Sequence, residues 1–287
     1  MSKENKQGYV LFVGADKTQL ESAYTLSLSI KCVDSRPVTL VVSKFDIVPT
    51  KYEKAFDFII EMPYGSNDYL TGSSMSDIWQ IYYASPFDQS IYIKNASLLM
   101  NNIDTLWESL DGFDLVFPTH TLNLQDNVSE YRSKNNLQQR NELPVYYADV
   151  FYFSKSESAA EFFKLCDPVF KNWREVASKY IRKGSLEWFR LDQMVSIVSV
   201  MLGVDHVHYY NHLTYVDIGV DNIAKLDDDI PDDWIDSFNV WFENAKILKV
   251  NNHKQNNIVV YNHSKFINKE NIDELTNRYK DQKRYAD

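Results

Sequence analysis

Glycine and cysteine are both scarce in this chain. Of 287 residues, 8 are glycine and 2 are cysteine. Neither glycine-rich phosphate signature is present, GxGxxG or GxxxxGK followed by Ser or Thr, so a backbone phosphate cradle of that kind is excluded. Cys32 and Cys166 stand alone. This excludes a disulfide framework and reads as two reduced, buried thiols in a cytoplasmic protein. No apolar run approaches the roughly 20 residues of a membrane helix. The polar opening MSKENKQ leads into a strand, unlike a signal peptide. Basic charge is in deficit, with 30 Lys and Arg against 40 Asp and Glu and a net charge of −10. Such a chain does not hold nucleic acid by its overall field, so any contact of that kind needs a local patch.

Apolar residues are plentiful, at 44%, with 14% aromatics, ample for a packed core. GYVLFVGAD (8–16) is a short apolar run with an exit loop, the pattern of a buried strand. In 17–34, Leu20, Tyr24 and Leu28 recur every four residues beside Ala23, Leu26 and Ile30, which predicts a helix. PVTLVVSK (37–44) is the next strand. A short helix and Phe58-Ile59-Ile60 follow, then a helix over 74–87 and the strand SIYIKNASLLM. Strand alternating with helix predicts an α/β fold with a mostly parallel sheet covered on both faces. Ligands of such sheets sit beyond the carboxyl ends of the strands. Asp16, Ser43-Lys44 and Lys94-Asn95 stand at such ends. DLVFPTHTLNL (114–124) and VYYADVFYF (145–153) predict further strands, the second enclosing Asp149, and 125–143 predicts a long surface loop.

Five blocks in this order resemble the GT-A-fold nucleotide-sugar glycosyltransferases, in particular a branch found in tailed bacteriophages. They are YVLFVGAD with AYTLSLSIK, WQIYYASPFDQSIYI, LPVYYADVFYFSKSESAAEFFKLCDPVFKNW, RLDQMVSIVSVML, and VVYNHSKF. The resemblance covers roughly residues 8–265. It implies a GT-A-like, Rossmann-like central sheet flanked by helices in one domain, 1–265. The nucleotide-binding half would be about 8–110 and the acceptor half about 111–265, followed by a helical tail over 266–287. It also implies a UDP-sugar donor, held by Gly14, Asp16, Ser43, Lys44, Asn95, Gln193, His263 and Lys265.

In that family the strand after Pro86-Phe87-Asp88 ends in Asp-x-Asp, which with a late histidine holds Mn or Mg. A divalent cation there offsets the charge gathering on the departing nucleoside diphosphate. Here the matching residues read Lys94-Asn95-Ala96. Both carboxylates are absent, so no residue is assigned to a metal, and Mn or Mg is without its usual ligands. Lysine binds phosphate as a point charge. Three readings stand: Lys94 replaces the metal, the metal is held elsewhere, or the chain is a degenerate, non-catalytic relative. Lys94, Asp149 and Asp192 are the candidate catalytic residues. Asp192 is also what a helix N-terminus favours on electrostatic grounds. His206 and His208 flank Val207 as a metal pair would, with no third ligand evident.

The segment 171–190, KNWREVASKYIRKGSLEWFR, carries six basic residues against two acids, with four aromatics interleaved. Basic residues among aromatics suit phosphate contact and base stacking. Lys171, Arg174, Arg182 and Lys183 are the candidate nucleic-acid contacts. The resemblance to the phage branch implies hydroxymethylcytosine in phage DNA as acceptor, in the cytoplasm of an infected host cell. A protein or glycan acceptor, and a non-catalytic subunit pairing with an active relative or with a second copy, are the alternatives.

Overall fold

The protein was described as a computed structural model covering residues 6–14, 16, 18–66, 75–129, 137–184, 190–203, 208–209, 212–218, 236, 238–243, 247–261 and 264–284, with the backbone alone at 208, 209, 264, 283 and 284. Its strands are β1 (Gln7–Val13), β2 (Val38–Val42), β3 (Phe58–Glu61), β4 (Gln89–Ile93), β5 (Ser97–Leu99), β6 (Leu115–Phe117), β7 (Val150–Ser154), β8 (His208–Tyr209), β9 (Val216–Asp217), β10 (Val240–Glu243), β11 (Ile247–Val250), β12 (His253–Lys254) and β13 (Ile258–Val260). Its helices are α1 (Gln19–Lys31), α2 (Thr50–Glu53), α3 (Ile81–Ala84), α4 (Asp104–Leu110), α5 (Leu137–Arg140), α6 (Glu157–Lys171), α7 (Trp173–Tyr180), α8 (Leu191–Leu202) and α9 (Lys269–Arg284).

Among the described residues the central sheet has seven strands in the order β3-β2-β1-β4-β7-β6-β8. β3, β2, β1 and β4 pair in parallel, and so do β6 and β8. β7 runs antiparallel to both neighbours, β4 and β6. A mostly parallel sheet is therefore interrupted by one reversed strand. The apolar run of β1 is continuous because both of its faces are covered. Tyr9, Leu11 and Val13 enter one core, and Val10 and Phe12 the other. Two smaller sheets, β10-β11-β12 and β5-β13-β9, complete the strands.

Helix α1 differs from the amphipathic helix its spacing predicts. Ser27 and Ser29 are buried along with its apolar residues. The helix packs on β1 and β2 on one side and on β5 and α9 on the other. The serines are satisfied locally: Ser27 Oγ donates to Ala55 O at 2.5 Å, and Ser29 Oγ donates to Leu26 O and accepts from Leu99 N. Two other expectations are corrected. The helix expected over 74–87 is reduced to a 3-10 turn at Ile78–Gln80 and α3. The strand expected over 145–153 is β7, beginning at Val150, so Asp149 stands one residue before the strand and not inside it. The backbone before it is drawn away by other partners, since Tyr147 N donates to Pro118 O. The surface loop expected over 125–143 contains the helical turn α5; residues 130–136 lie outside the described residues.

Helix α6 begins at Ser156, whose hydroxyl accepts from Ala159 N at 3.2 Å, a normal N-cap. It buries Phe162, Phe163, Cys166, Val169 and Phe170 against the sheet. Helix α8 is buried along its first turns and ends at Gly203, whose φ of 96° suits glycine best. Among the described residues no helix is long and apolar enough to cross a membrane.

Gly8 sets how closely the turn before β4 can approach β1. A Cβ on Gly8 would lie 2.4 Å from the ring of Phe87, which is buried. Gly8→Ala is expected to cost about 1–3 kcal/mol through overpacking. Thermal unfolding checks it, each kcal/mol lowering Tm by roughly 2–4 °C in a chain of this size. An unchanged Tm would show that Phe87 yields.

Candidate functional site

The carboxyl ends of β1, β2 and β4 lie on one rim because the three strands are parallel neighbours. Gly14 follows β1, and its carbonyl accepts a hydrogen bond from Ser43 Oγ at 3.2 Å across to the end of β2. Asp16 turns back onto the start of α1, accepting from Thr18 N at 3.0 Å and Thr18 Oγ1 at 2.6 Å. The Thr18 hydroxyl, then its N–H, hold the Asp16 carboxyl below its usual pKa. Lys44 is exposed, and beside it Phe45 anchors its N–H on Glu61 Oε1 at 2.7 Å.

Asn95 fastens β4 to β1. It is buried, and its Nδ2 donates to Phe12 O at 2.5 Å and to Gln19 Oε1 at 3.3 Å. Its Oδ1 is also buried and has no hydrogen-bond partner among the described residues. An orphan acceptor of this kind costs about 1–3 kcal/mol. The rim where the resemblance assigns the donor thus contains a buried acceptor without a partner among the described residues.

Lys94 and Asp149 are cross-strand partners one step beyond the β4–β7 ladder, which ends with Ile93 opposite Val150. Lys94 N donates to Asp149 O at 2.8 Å. Their side chains then meet, Lys94 Nζ lying 3.0 Å from Asp149 Oδ1. Tyr215 OH, arriving from the residue before β9, donates to Asp149 Oδ2 at 3.3 Å. The neighbouring Ala148 N donates to Asp192 Oδ1 at 2.8 Å, while Arg190 Nη2 donates to Asp192 Oδ2 at 2.7 Å. Gln193 accepts from Arg190 N at 3.0 Å, closing the first turn of α8. Lys94, Asp149 and Asp192 are therefore gathered around residues 148–149. Tyr215 and Arg190 join them, and Gln19 joins Asn95. Arg190 opens the block RLDQMVSIVSVML, while nothing in the sequence setting of Tyr215 and Gln19 marks them out.

The late segment returns to the same place. β13 pairs antiparallel with β5, and Tyr261 N donates to Ala96 O at 2.9 Å. Tyr261 stacks on Phe266 with centroids 5.2 Å apart, and burial pushes its hydroxyl pKa up to about 12. Lys265 is exposed in the 3-10 turn Ser264–Phe266 that follows. His263 and His206 lie outside the described residues, and His208 is described by its backbone alone.

The divalent cation implied by the resemblance does not fit the residues present. The end of β4 offers an ammonium and an amide, and the nearest carboxylate, Asp149, already faces that ammonium. Among the described residues no three His, Cys, Asp or Glu side chains gather as a metal site would require.

The candidate nucleic-acid contacts lie at the end of α6, in α7 and just after it. Lys171 pairs with Asp167 at 2.8 Å. Arg174 lies over the Trp173 ring, 4.7 Å from its centroid. Arg182 and Lys183 line a cavity beside α7. Trp188 and Phe189 lie outside the described residues.

The fold is that of GT-A-type glycosyltransferases. The galactosyltransferase LgtC, solved with donor and acceptor sugar analogues, aligns over 95% of this chain and 95% of its own, with a TM-score of 0.53 and 11% identity. The glycosyltransferase GlyE of Streptococcus pneumoniae TIGR4 aligns over 98% of this chain and 64% of its own, with a TM-score of 0.53 and 12% identity. The bifunctional glycosyltransferase WbbM aligns over 97% of this chain and 50% of its own, with a TM-score of 0.50 and 12% identity. At these identities the likeness is one of fold. No protein-family model matches the chain, and no curated protein matches it significantly.

The Lys94–Asp149 pair is partly open to water, with the Lys94 side chain 36% and the Asp149 side chain 17% exposed. A pair so placed adds little to stability. A double-mutant cycle with Lys94→Met and Asp149→Asn, read by urea denaturation, is expected to give a coupling of about 1 kcal/mol or less. A coupling of 3 kcal/mol would make the pair a structural element instead.

Proposed function

We propose that this chain is a glycosyltransferase, moving a hexosyl or pentosyl group from a UDP-sugar to a hydroxyl, with Lys94 in place of a divalent cation. The observation that carries this reading is the Lys94 ammonium, held 3.0 Å from Asp149 at the carboxyl end of β4 in a GT-A-type fold. In the transfer the C1–oxygen bond to the diphosphate breaks and its electron pair leaves with UDP, while the acceptor oxygen bonds to C1. Negative charge grows on the departing phosphate, so a fixed cation there acts on the transition state more than on the ground state. Lys94 supplies that charge from one side and Lys265 from the other. Asp149 and Tyr215 hold Lys94 in place. Gly14, Asp16, Ser43, Lys44 and Asn95 receive the nucleotide, and we assign His263 a share of the diphosphate with Lys265. Asp192 and Gln193 face the sugar, and the cluster offers the carboxylates of Asp149 and Asp192 for the acceptor proton.

For the acceptor we propose hydroxymethylcytosine in phage DNA. The basic, aromatic-bearing segment 171–190 in an otherwise acidic chain supports it. A hydroxymethyl group in the major groove is approachable directly, or after the nucleotide leaves the stack.

A panel of UDP-sugars incubated with hydroxymethylated DNA, read by nucleoside mass spectrometry, tests both parts. Product is expected on the DNA and is expected to survive EDTA. Lys94→Ala is expected to lower turnover about 10–150-fold, the equivalent of one charge-assisted phosphate contact of about 1.5–3 kcal/mol. Circular dichroism on the variant checks that it is folded. Turnover abolished by EDTA but kept by Lys94→Ala would reduce the lysine to a bystander. Product on a glycan or protein in place of DNA would move the acceptor, and no product on any acceptor would favour a non-catalytic subunit.

A further inference from the structure

A cavity of about 360 Å³ opens between the α5 turn, α7 and α8. Arg140, Lys179, Arg182 and Lys183 line it with the carboxylate of Glu142, and Lys179 is itself paired with Glu175 at 2.8 Å, so the lining stays basic on balance. Like charges this close repel one another, and the chain as a whole is acidic, so their concentration here opposes the general trend. The arrangement is nevertheless built. Asn141 Nδ2 donates to Leu137 O at 2.8 Å and to Lys183 O at 3.0 Å. Its Oδ1 accepts from Arg182 N and Lys183 N, both at 2.7 Å. One amide thus clamps two cation-bearing segments some forty residues apart in the chain. Gly184 follows with a φ of 107°, and a Cβ on it would lie 2.6 Å from Leu137 Cδ1, so the close approach depends on glycine. The side chains of Arg182 and Lys183 make no ion pair among the described residues. A second cavity of about 240 Å³ lies across α7, lined by Trp173, Arg174 and Ser178, and reaches Gly184.

Both walls of the basic cavity run into the candidate site. Leu143 lies five residues before Ala148, which bonds Asp192. Val200 lines the cavity eight residues along α8 from Asp192, which is about 12 Å at 1.5 Å per residue. A small acceptor cannot reach both places. A stacked strand advances about 3.4 Å per nucleotide, so three or four nucleotides span the gap.

We infer that this cavity is a docking subsite for the phosphodiester backbone of a nucleic-acid strand whose reacting nucleotide lies at Asp149 and Asp192. The inference rests on the DNA acceptor proposed above and adds where the strand is gripped. Arg182, Lys183 and Arg140 contact phosphate oxygens, which positions the strand without reading its sequence. Tyr180, at the end of α7, lines the cavity and offers a ring for a base of the same strand.

Fluorescence anisotropy of the whole chain with a fluorescein-labelled 12-nucleotide single-stranded DNA, between 50 and 200 mM NaCl, tests it. Binding is expected to weaken with salt. Arg182→Ala with Lys183→Ala is expected to weaken it at least tenfold and to reduce the log–log salt slope by about 1.4, at about 0.7 per phosphate contact for single strands. Thermal unfolding checks that the double variant is folded. The inference is overturned by failure of the 12-mer to bind, or by affinity and slope unchanged in the double variant. Competition by tripolyphosphate at the 12-mer's own affinity would make it a small-anion site, and tighter binding of a 12-residue polyglutamate would make it a protein-docking site; either result overturns it. Calorimetry of UDP on the unmodified chain tests the donor reading by itself, so the two proposals fail separately.

Discussion

The hydrogen bond from Lys94 N to Asp149 O extends the β4–β7 ladder by one rung, and the candidate site hangs from that rung. Residues opposite each other in an antiparallel pair have their side chains close together. An ammonium and a carboxylate are therefore placed face to face by backbone geometry, with no need of a long-range field to find each other. Asp149 then takes Tyr215 from the β9 side, and Ala148 next to it takes Asp192 from α8. Three segments distant in sequence converge on two consecutive residues. Had β7 run parallel to β4, like the other neighbours on that side, the register that pairs 94 with 149 would not exist.

A second tie works at right angles to the first. Asn95 reaches sideways to the Phe12 carbonyl and to Gln19, joining the end of β4 to the end of β1 and the start of α1. Lys94 and Asn95 are adjacent yet have different tasks. One carries the charge that remains partly open to solvent. The other is buried, fixes the rim, and leaves one acceptor unmatched. The loop is short, so a change at either residue is felt by both ties.

The alternation of apolar runs made the sheet readable, because strands covered on both faces must be continuously apolar and the helices between them periodic. The positions of Gly14, Ser43 and Lys94 at strand ends followed from the same pattern. The reversal of β7 was not readable. VYYADVFYF has the composition of a buried strand in either direction, and direction depends on the connection through 118–149, where local signals are weak. Its true start was missed for a related reason: 145–148 is as apolar as the strand but spends its backbone groups on Pro118 and Asp192. Tyr215 and Asn141 were invisible because a tyrosine in an apolar run and an asparagine in a polar loop are ordinary, and their importance comes from partners far along the chain. The even burial of α1 was hidden too, since helical spacing alone does not show that β5 and α9 pack on it as well as the central sheet.

That closing helix has a mechanical side. Arg278 and Gln282 of α9 both donate to the carbonyl of Cys32, the residue that ends α1, at 3.2 and 3.0 Å. Tyr24 in the middle of α1 meets Thr276, and Leu275 is buried in the shared core. At its other end α1 offers Gln19 to Asn95. The helix is thus a rod pinned at both ends, one pin in the final helix of the described chain and the other at the rim of the sheet. The two pins stand some 20 Å apart, at 1.5 Å for each of the thirteen residues of α1, so a single helix joins the final helix to the amide that holds the ends of β1 and β4 together.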